Sequence, residues 1–185
     1  MSTTLDSLLP GKGFPCPQPR DFIEYVAFAY NDFNQMSTFS AAIYDTAWLS
    51  MVYAPGESPT LYFPECFEHL LRTQEEDGSW ASYGTYFDKI LNTLAALLSL
   101  SVHREKISDN PSRQHDIAVR IKKAISSARH LLKSWNVSKT MHVGFEVLTT
   151  GLLRQLASYG IRFIFPGKGE LDELNKQSKY RDRLG

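Results

Sequence analysis

The run Thr85-Tyr86-Phe87-Asp88-Lys89-Ile90-Leu91-Asn92-Thr93-Leu94-Ala95-Ala96-Leu97-Leu98-Ser99-Leu100-Ser101-Val102-His103 decides the fold class. Ile90, Leu91, Leu94, Ala95, Leu97, Leu98 and Leu100 are apolar almost all round a helical wheel, which predicts a helix buried on several sides. The polar interruptions at Asn92, Thr93, Ser99 and Ser101 keep it short of the about 20 apolar residues of a membrane span. A helix of this kind needs other helices around it. Downstream, after a polar break from Ser108 to Gln114, Ile117, Ile121, Ile125, Ala128, Leu132 and Trp135 recur at steps of three and four, the mark of a long one-faced helix. Phe145, Leu148, Leu152, Leu156 and Tyr159 repeat the pattern, and Gly160 stands where a left-handed C-terminal cap belongs. Upstream, Pro64 suits the first turn of a helix running to Gln74. Ser40 is placed to cap another from Ala41 to Tyr53, with Pro55-Gly56 as its stop.

The remaining stretches are brief. Aromatic and aliphatic residues crowd Asp21 to Asn34, a first helix, behind a Pro- and Gly-rich lead-in to about Pro19. Only Arg162 to Pro166, with Ile161, Phe163, Ile164 and Phe165, reads as a strand, and Pro166 confines it to an edge or an extended linker. Glu170 to Gly185 is a charged amphipathic stretch carrying Leu171, Leu174 and Tyr180, with no apolar element after it. The expected class is all-α, with helix pairs joined by short loops in an α/α arrangement rather than a four-helix bundle. Residues 1–39 form a lead-in and first helix, and 40–185 a helical domain.

Composition narrows the function classes. Lys plus Arg and Asp plus Glu are 20 each, so no net field attracts nucleic acid or an anionic membrane. Cys16 and Cys66 lack metal-type spacing and are too few for a disulfide framework, which points to a reducing compartment. Met1 to Pro10 show no basic start followed by an apolar core, so a cytoplasmic protein without a signal peptide is expected.

Four words then occur in order. Ser40-Ala41-Ala42-Ile43-Tyr44-Asp45-Thr46-Ala47-Trp48 comes first, and Gln74-Glu75-Glu76-Asp77-Gly78-Ser79-Trp80 second. Asp88-Lys89-Ile90-Leu91-Asn92-Thr93-Leu94-Ala95 and Gly144-Phe145-Glu146 follow. On a helix Tyr44, Ala47 and Trp48 share a face that belongs to the core, while Asp45 points elsewhere. Gln74 at a helix end can satisfy free backbone groups, Asp77-Gly78 supplies a turn, and Trp80 buries a large flat surface. Asn92, polar on a buried helix, needs hydrogen-bond partners, and tethering the helix to a loop is the plainest way to find them.

The four words resemble, in order, the "SAYDTAW" string, the QW-type motif, the "D-x-I-L-N-T-L-A" helix and the "GFE" helix opening of class II diterpene cyclases. The type is that of bifunctional fungal diterpene synthases, and the likeness runs from about Ser40 to Tyr180. It implies an α/α-barrel-type helical layer of the terpenoid cyclase fold, an incomplete γ/β-type domain. It also implies a parent activity: protonation-initiated cyclisation of geranylgeranyl diphosphate to a copalyl-type diphosphate, in an enzyme family that uses Mg2+. The other partners it implies are the remaining cyclase domains.

The chemistry itself is missing from the chain. The family's protonating acid is the middle Asp of a "DxDD" motif, because protonating a carbon–carbon double bond requires a carboxylic acid held neutral in a dry pocket. Neither "DxDD" nor the metal-binding "DDxxD" occurs. Glu75-Glu76-Asp77 is the one acidic cluster and lies in a turn where solvation is expected. His69, His103, His115, His130 and His142 have no metal-ligand spacing. No catalytic residue, metal site or cofactor is therefore expected in this segment, and the chain alone is expected to be inactive.

One substrate contact is implied by the resemblance: Lys179, matching a family lysine that faces the diphosphate. The plain alternative is a solvated helix face of Lys176, Lys179, Arg181 and Arg183. Two other readings stand beside the cyclase. One is a non-catalytic helical module that binds a polyprenyl ligand or a complementary cyclase fragment; the other is an inactive truncated product. Protein prenyltransferase subunits also use α/α barrels, but their zinc site needs converging Asp, Cys and His ligands, and no such set stands out.

Overall fold

The computed structural model describes residues 42–54, 60–82, 84–106 and 110–181, all within one compact unit, Ala42–Gly185. The expected helix at Asp21–Asn34 and the Ser40 cap lie outside the described residues. Among the described residues there are six α-helices: α1 (Ile43–Leu49), α2 (Pro64–Thr73), α3 (Tyr86–Lys106), α4 (Pro111–Ser134), α5 (Phe145–Ser158) and α6 (Lys168–Arg181). A 3-10 turn, Val137–Lys139, follows α4. Among the described residues there is no strand, only two isolated antiparallel bridges, Tyr53 with Leu61 and Gln74 with Trp80. The class is all-α.

The inner helix is α3. Its buried residues include Phe87, Ile90, Leu94, Leu97, Leu98 and Leu100, and they face every direction around the axis. Helices α1, α4 and α5 pack directly on it, α2 packs on α1, and α6 packs on α5. Its start is a reciprocal cap: the Asp88 carboxylate accepts from the Thr85 N–H at 2.6 Å, and the Asp88 N–H donates to the Thr85 hydroxyl at 3.3 Å.

The other boundaries follow local chemistry, with some corrections. Pro64 opens α2 as expected, and the helix ends one residue before Gln74. The polar break before α4 is shorter than its composition suggests. Pro111 already occupies the first turn, and Asn110 caps it by accepting from the Arg113 N–H at 3.0 Å. The helix expected over Ala41–Tyr53 is confined to Ile43–Leu49, because Val52 and Ala54 bond across to Tyr62 and Thr60 as an extended pair. Gly160 takes the left-handed cap with φ +76°, and the Ile161 N–H reaches back to the Leu156 carbonyl at 3.0 Å.

Beyond that cap the strand-like run is extended but unpaired with any strand. Phe163 and Phe165 turn inward while Ile164 is 99% exposed. Phe165 joins Trp135, Phe87 and Phe145 in an aromatic cluster with ring centroids 5.4–6.0 Å apart. Leu148, counted with the core face of α5, is 40% exposed.

Candidate functional site

The densest set of specific contacts surrounds the Gln74–Trp80 turn. Leaving α2, Gln74 adopts extended geometry and its side-chain amide donates to the carbonyls of Gly78 (3.1 Å) and Arg120 (3.2 Å). Arg120 on α4 answers by donating to the Leu71 carbonyl at 2.8 Å, so the last turn of α2 is capped from the neighbouring helix. Within the turn the Asp77 carboxylate accepts from the Ser79 N–H (2.8 Å) and hydroxyl (2.6 Å), and the Glu75 N–H donates to the Ser79 carbonyl at 2.9 Å. Gly78 has φ +89°, and a Cβ built on it would stand 2.4 Å from the Lys123 carbonyl carbon of α4. Both the backbone angle and the close approach require glycine here.

Trp80 closes the turn. It is fully buried, its indole N–H donates to the Leu70 carbonyl at 2.9 Å, and its backbone N–H lies 3.4 Å from the Thr93 hydroxyl of α3. One residue later the Ala81 carbonyl accepts from the Asn92 side chain at 2.8 Å, tying α3 to the loop. The turn thus clamps α2, α3 and α4.

Glu75, Glu76 and Asp77 lie on its solvent side. Lys89 bonds Glu75 at 2.8 Å. That bond, with a second from the Ser79 hydroxyl, holds the Glu75 carboxyl below its ordinary range. For Asp77, partial burial pushes the carboxyl up, but the bonds from Ser79 outweigh it and the net shift is downward. Both shifts favour the charged form, the opposite of what a protonating acid needs.

The Ile43–Trp48 word sits on α1 as expected for a core helix, with Ala47 fully buried and Asp45 exposed. Trp48, expected in the core, is only partly buried. Its indole meets the Tyr44 ring edge-on at 6.2 Å against the core's margin, because the seven-residue helix presents Ile43, Thr46 and Ala47 to α3 instead. Lys179 lies on α6, and its side chain is outside the described set. Lys176, one turn earlier, is exposed and 3.5 Å from Glu173.

A further polar network was not legible in the sequence. The Ser50 carbonyl accepts from His103 Nε2 at 2.8 Å, which places the proton on that nitrogen. The Ser50 and Ser99 hydroxyls lie 2.7 Å apart. His103 is buried and stacked on Phe67 at 3.6 Å. Burial, against the opposing pull of the Ser50 bond, drives its pKa below the ordinary histidine value. It borders a cleft of about 460 Å³ with Tyr53, Phe67, Lys106 and Arg113, where Lys106 is 3.3 Å above the Tyr53 ring and Arg113 pairs with Glu68. Among the described residues no three His, Cys, Asp or Glu side chains converge to hold a metal ion. No described helix is long and apolar enough to cross a membrane.

No family model matches the chain. Curated relatives do: it is 44% identical over 151 residues to pimaradiene synthase of Emericella nidulans, covering 80% of this chain and 15% of that protein. It is 46% identical over 146 residues to copalyl diphosphate synthase of Talaromyces verruculosus, covering 77% of this chain and 15% of that protein. The chain is a segment of the diterpene cyclase family. The cyclase segment spans about 15% of the length of these relatives.

Solved structures show the same fold. Abietadiene synthase from Abies grandis superposes with a TM-score of 0.61 at 24% identity, over 89% of the cyclase segment and 22% of that chain. The ent-copalyl diphosphate synthase of Arabidopsis thaliana, solved with an aza-dihydrogeranylgeranyl thiolodiphosphate, gives 0.60 at 22% identity over 86% and 22%. The helical layer of the cyclase segment is that of the terpenoid cyclases.

Proposed function

We propose that the cyclase segment is a scaffold wall of a protonation-initiated diterpene cyclase, whose full-length form converts geranylgeranyl diphosphate to a copalyl-type diphosphate, and that the 185-residue chain is inactive alone. One observation carries the second half: no Asp or Glu among the described residues is buried. An alkene is a very weak base, and only a carboxyl kept neutral by a dry pocket can protonate it at neutral pH. The carboxyls of Glu75 and Asp77 are shifted the opposite way. The Gln74–Trp80 turn supports the scaffold role, since its polar groups are spent on joining helices.

The remaining cyclase domains are the natural cover for the exposed apolar residues Met141, Val143, Val147 and Leu148, of which Val143 is fully exposed. Lys179 is the position we assign to the diphosphate of the bound substrate. The test of inactivity is direct. The purified chain is incubated with geranylgeranyl diphosphate and Mg2+, the products are dephosphorylated, and the extract is read by mass spectrometry. Nothing above a boiled control is expected, and a reproducible bicyclic alcohol would overturn the reading.

A further inference from the structure

Tyr86 at the start of α3 and Met141 in the connection from α4 to α5 border one cleft of about 410 Å³. Both are exposed; Met141 is 94% so, and Val143 follows it by two residues, also in solvent. The buried rings of Phe87 and Trp135 line the same cleft. Single exposed apolar residues are ordinary on a protein surface, whereas several around an aromatic-lined cleft mark a docking surface.

The connection is held in this shape by specific contacts. The Trp135 indole N–H donates to the Thr140 hydroxyl at 2.8 Å, and the Tyr86 hydroxyl donates to the Leu131 carbonyl at 2.9 Å. His142 lies 5.2 Å from the Phe87 ring centre and 3.3 Å from the Asp88 carboxylate. Thr140 and His142 are thus pinned on either side of Met141. A connection free to collapse would bury Met141 and Val143; one pinned at alternate residues presents them, and a surface ordered in advance loses less entropy on docking.

We propose that this cleft, with Val143 beside it in sequence, is the seat of the rest of the full-length cyclase polypeptide, which inserts an apolar side chain next to Tyr86 and Met141. The inference rests on the reading of the chain as one wall of a larger cyclase, and it names the surface that the larger part covers. The segment spans 15% of each relative's length, so about 85% of those chains lies outside it. A tethered neighbour is present at an effective concentration of about millimolar, far above that of a free partner. An anionic membrane fits less well, because Lys plus Arg equals Asp plus Glu at 20 each.

The probe is oxidation of Met141 to its sulfoxide by dilute hydrogen peroxide, read by peptide mass spectrometry. It is measured in the 185-residue chain and in a chimera where this chain replaces the matching segment of the Talaromyces verruculosus enzyme. Because oxidation follows exposure of the sulfur, Met141 should react about tenfold more slowly in the chimera. Ile164→Cys, at an exposed position outside the cleft, is the control, and a maleimide should label it equally in both. Should the chimera not unfold cooperatively, hydrogen exchange takes its place, comparing the peptide that corresponds to 136–148 in the intact Talaromyces enzyme and in its excised segment. Slower exchange in the intact enzyme is expected. Equal rates in the two settings overturn the proposal, and so does protection of the Ile164→Cys thiol as strong as that of Met141. Protection that grows with the concentration of the 185-residue chain alone would give the seat to a second copy and overturn it too. Turnover of geranylgeranyl diphosphate by the chimera is a separate readout. Activity with Met141 still open refutes the seat and keeps the cyclase reading; protection without activity does the reverse.

Discussion

Replacing Gly78 by alanine separates two demands that the Gln74–Trp80 turn makes of one residue. The first is a left-handed backbone, φ +89°, which costs an L-residue about 1–2 kcal/mol. The second is room, since the new methyl group would sit 2.4 Å from the carbonyl carbon and 2.6 Å from the oxygen of Lys123, both helix backbone. Gly160 supplies the control: its φ is +76°, and nothing lies within 4 Å of a Cβ built there. Gly160→Ala therefore carries only the backbone cost, partly offset by about 0.4–1 kcal/mol because alanine stiffens the unfolded chain, for a net loss near 1 kcal/mol. Gly78→Ala adds the overpacking of α4, about 1–3 kcal/mol more. For a chain of this size each kcal/mol lowers Tm by about 2–4 °C, so Gly160→Ala should lose a few degrees and Gly78→Ala at least twice as many. Urea and thermal unfolding followed by far-ultraviolet circular dichroism measure both. Equal losses would refute the claim that the turn is pressed against the backbone of α4.

Trp80→Phe removes the donor to the buried Leu70 carbonyl and part of the ring. A loss of about 2–3 kcal/mol in urea unfolding is expected, and less than 0.5 kcal/mol would show that the bond contributes nothing. His103 and His69 both have pKa values below the ordinary histidine value, burial being the first cause for each. The unfolded chain therefore binds protons first: stability is fully present above about pH 6.5 and falls as pH drops below it. His103→Phe should flatten most of the decline in urea midpoint between pH 8 and 5, and an unchanged slope would clear His103 of the effect. With the remaining cyclase length restored from a close relative, Lys179→Ala should weaken apparent substrate affinity about tenfold, as expected for loss of a charge-assisted bond. Lys176→Ala is its control, and equal effects would return the basic run to a plain surface.

The fold was legible where apolar spacing was dense. The course of α3, α4 and α5 could be read because Ile90 to Leu100, Ile117 to Leu132 and Phe145 to Leu156 leave little choice of face, and Gly160 marked its own cap. Legibility failed where tertiary pairing overrides local pattern. Val52 and Ala54 look helical, but their backbone groups bond to Tyr62 and Thr60, and no local signal in residues 41–53 announces that. Trp48 shared a face with Ala47 on paper, yet a seven-residue helix has room to bury only its central stripe. In the turn, the roles of Asp77, Gly78 and Trp80 followed from their side chains. The reach of Gln74 to Arg120, and the pressure of Lys123 on Gly78, come from α4, more than 40 residues along the chain. His103 was invisible for the same reason, because an isolated histidine in sequence says nothing of Ser50 and Phe67.

Helix α3 is held at two levels, by Asn92 to the Ala81 carbonyl and by His103 and Ser99 to Ser50. From Asn92 to His103 is about 16 Å along a helix axis. Losing or gaining one residue between them would turn everything beyond it by about 100° and slide it by about 1.5 Å. One of the two anchors would then face the wrong neighbour, and so would half of a surface buried on every side. Point substitutions among the small apolar residues of this stretch can be absorbed by repacking, but a change of length cannot. In a lineage of such sequences the span from Asn92 to His103 should keep its length while its letters drift, and insertions should gather in the connections between helices.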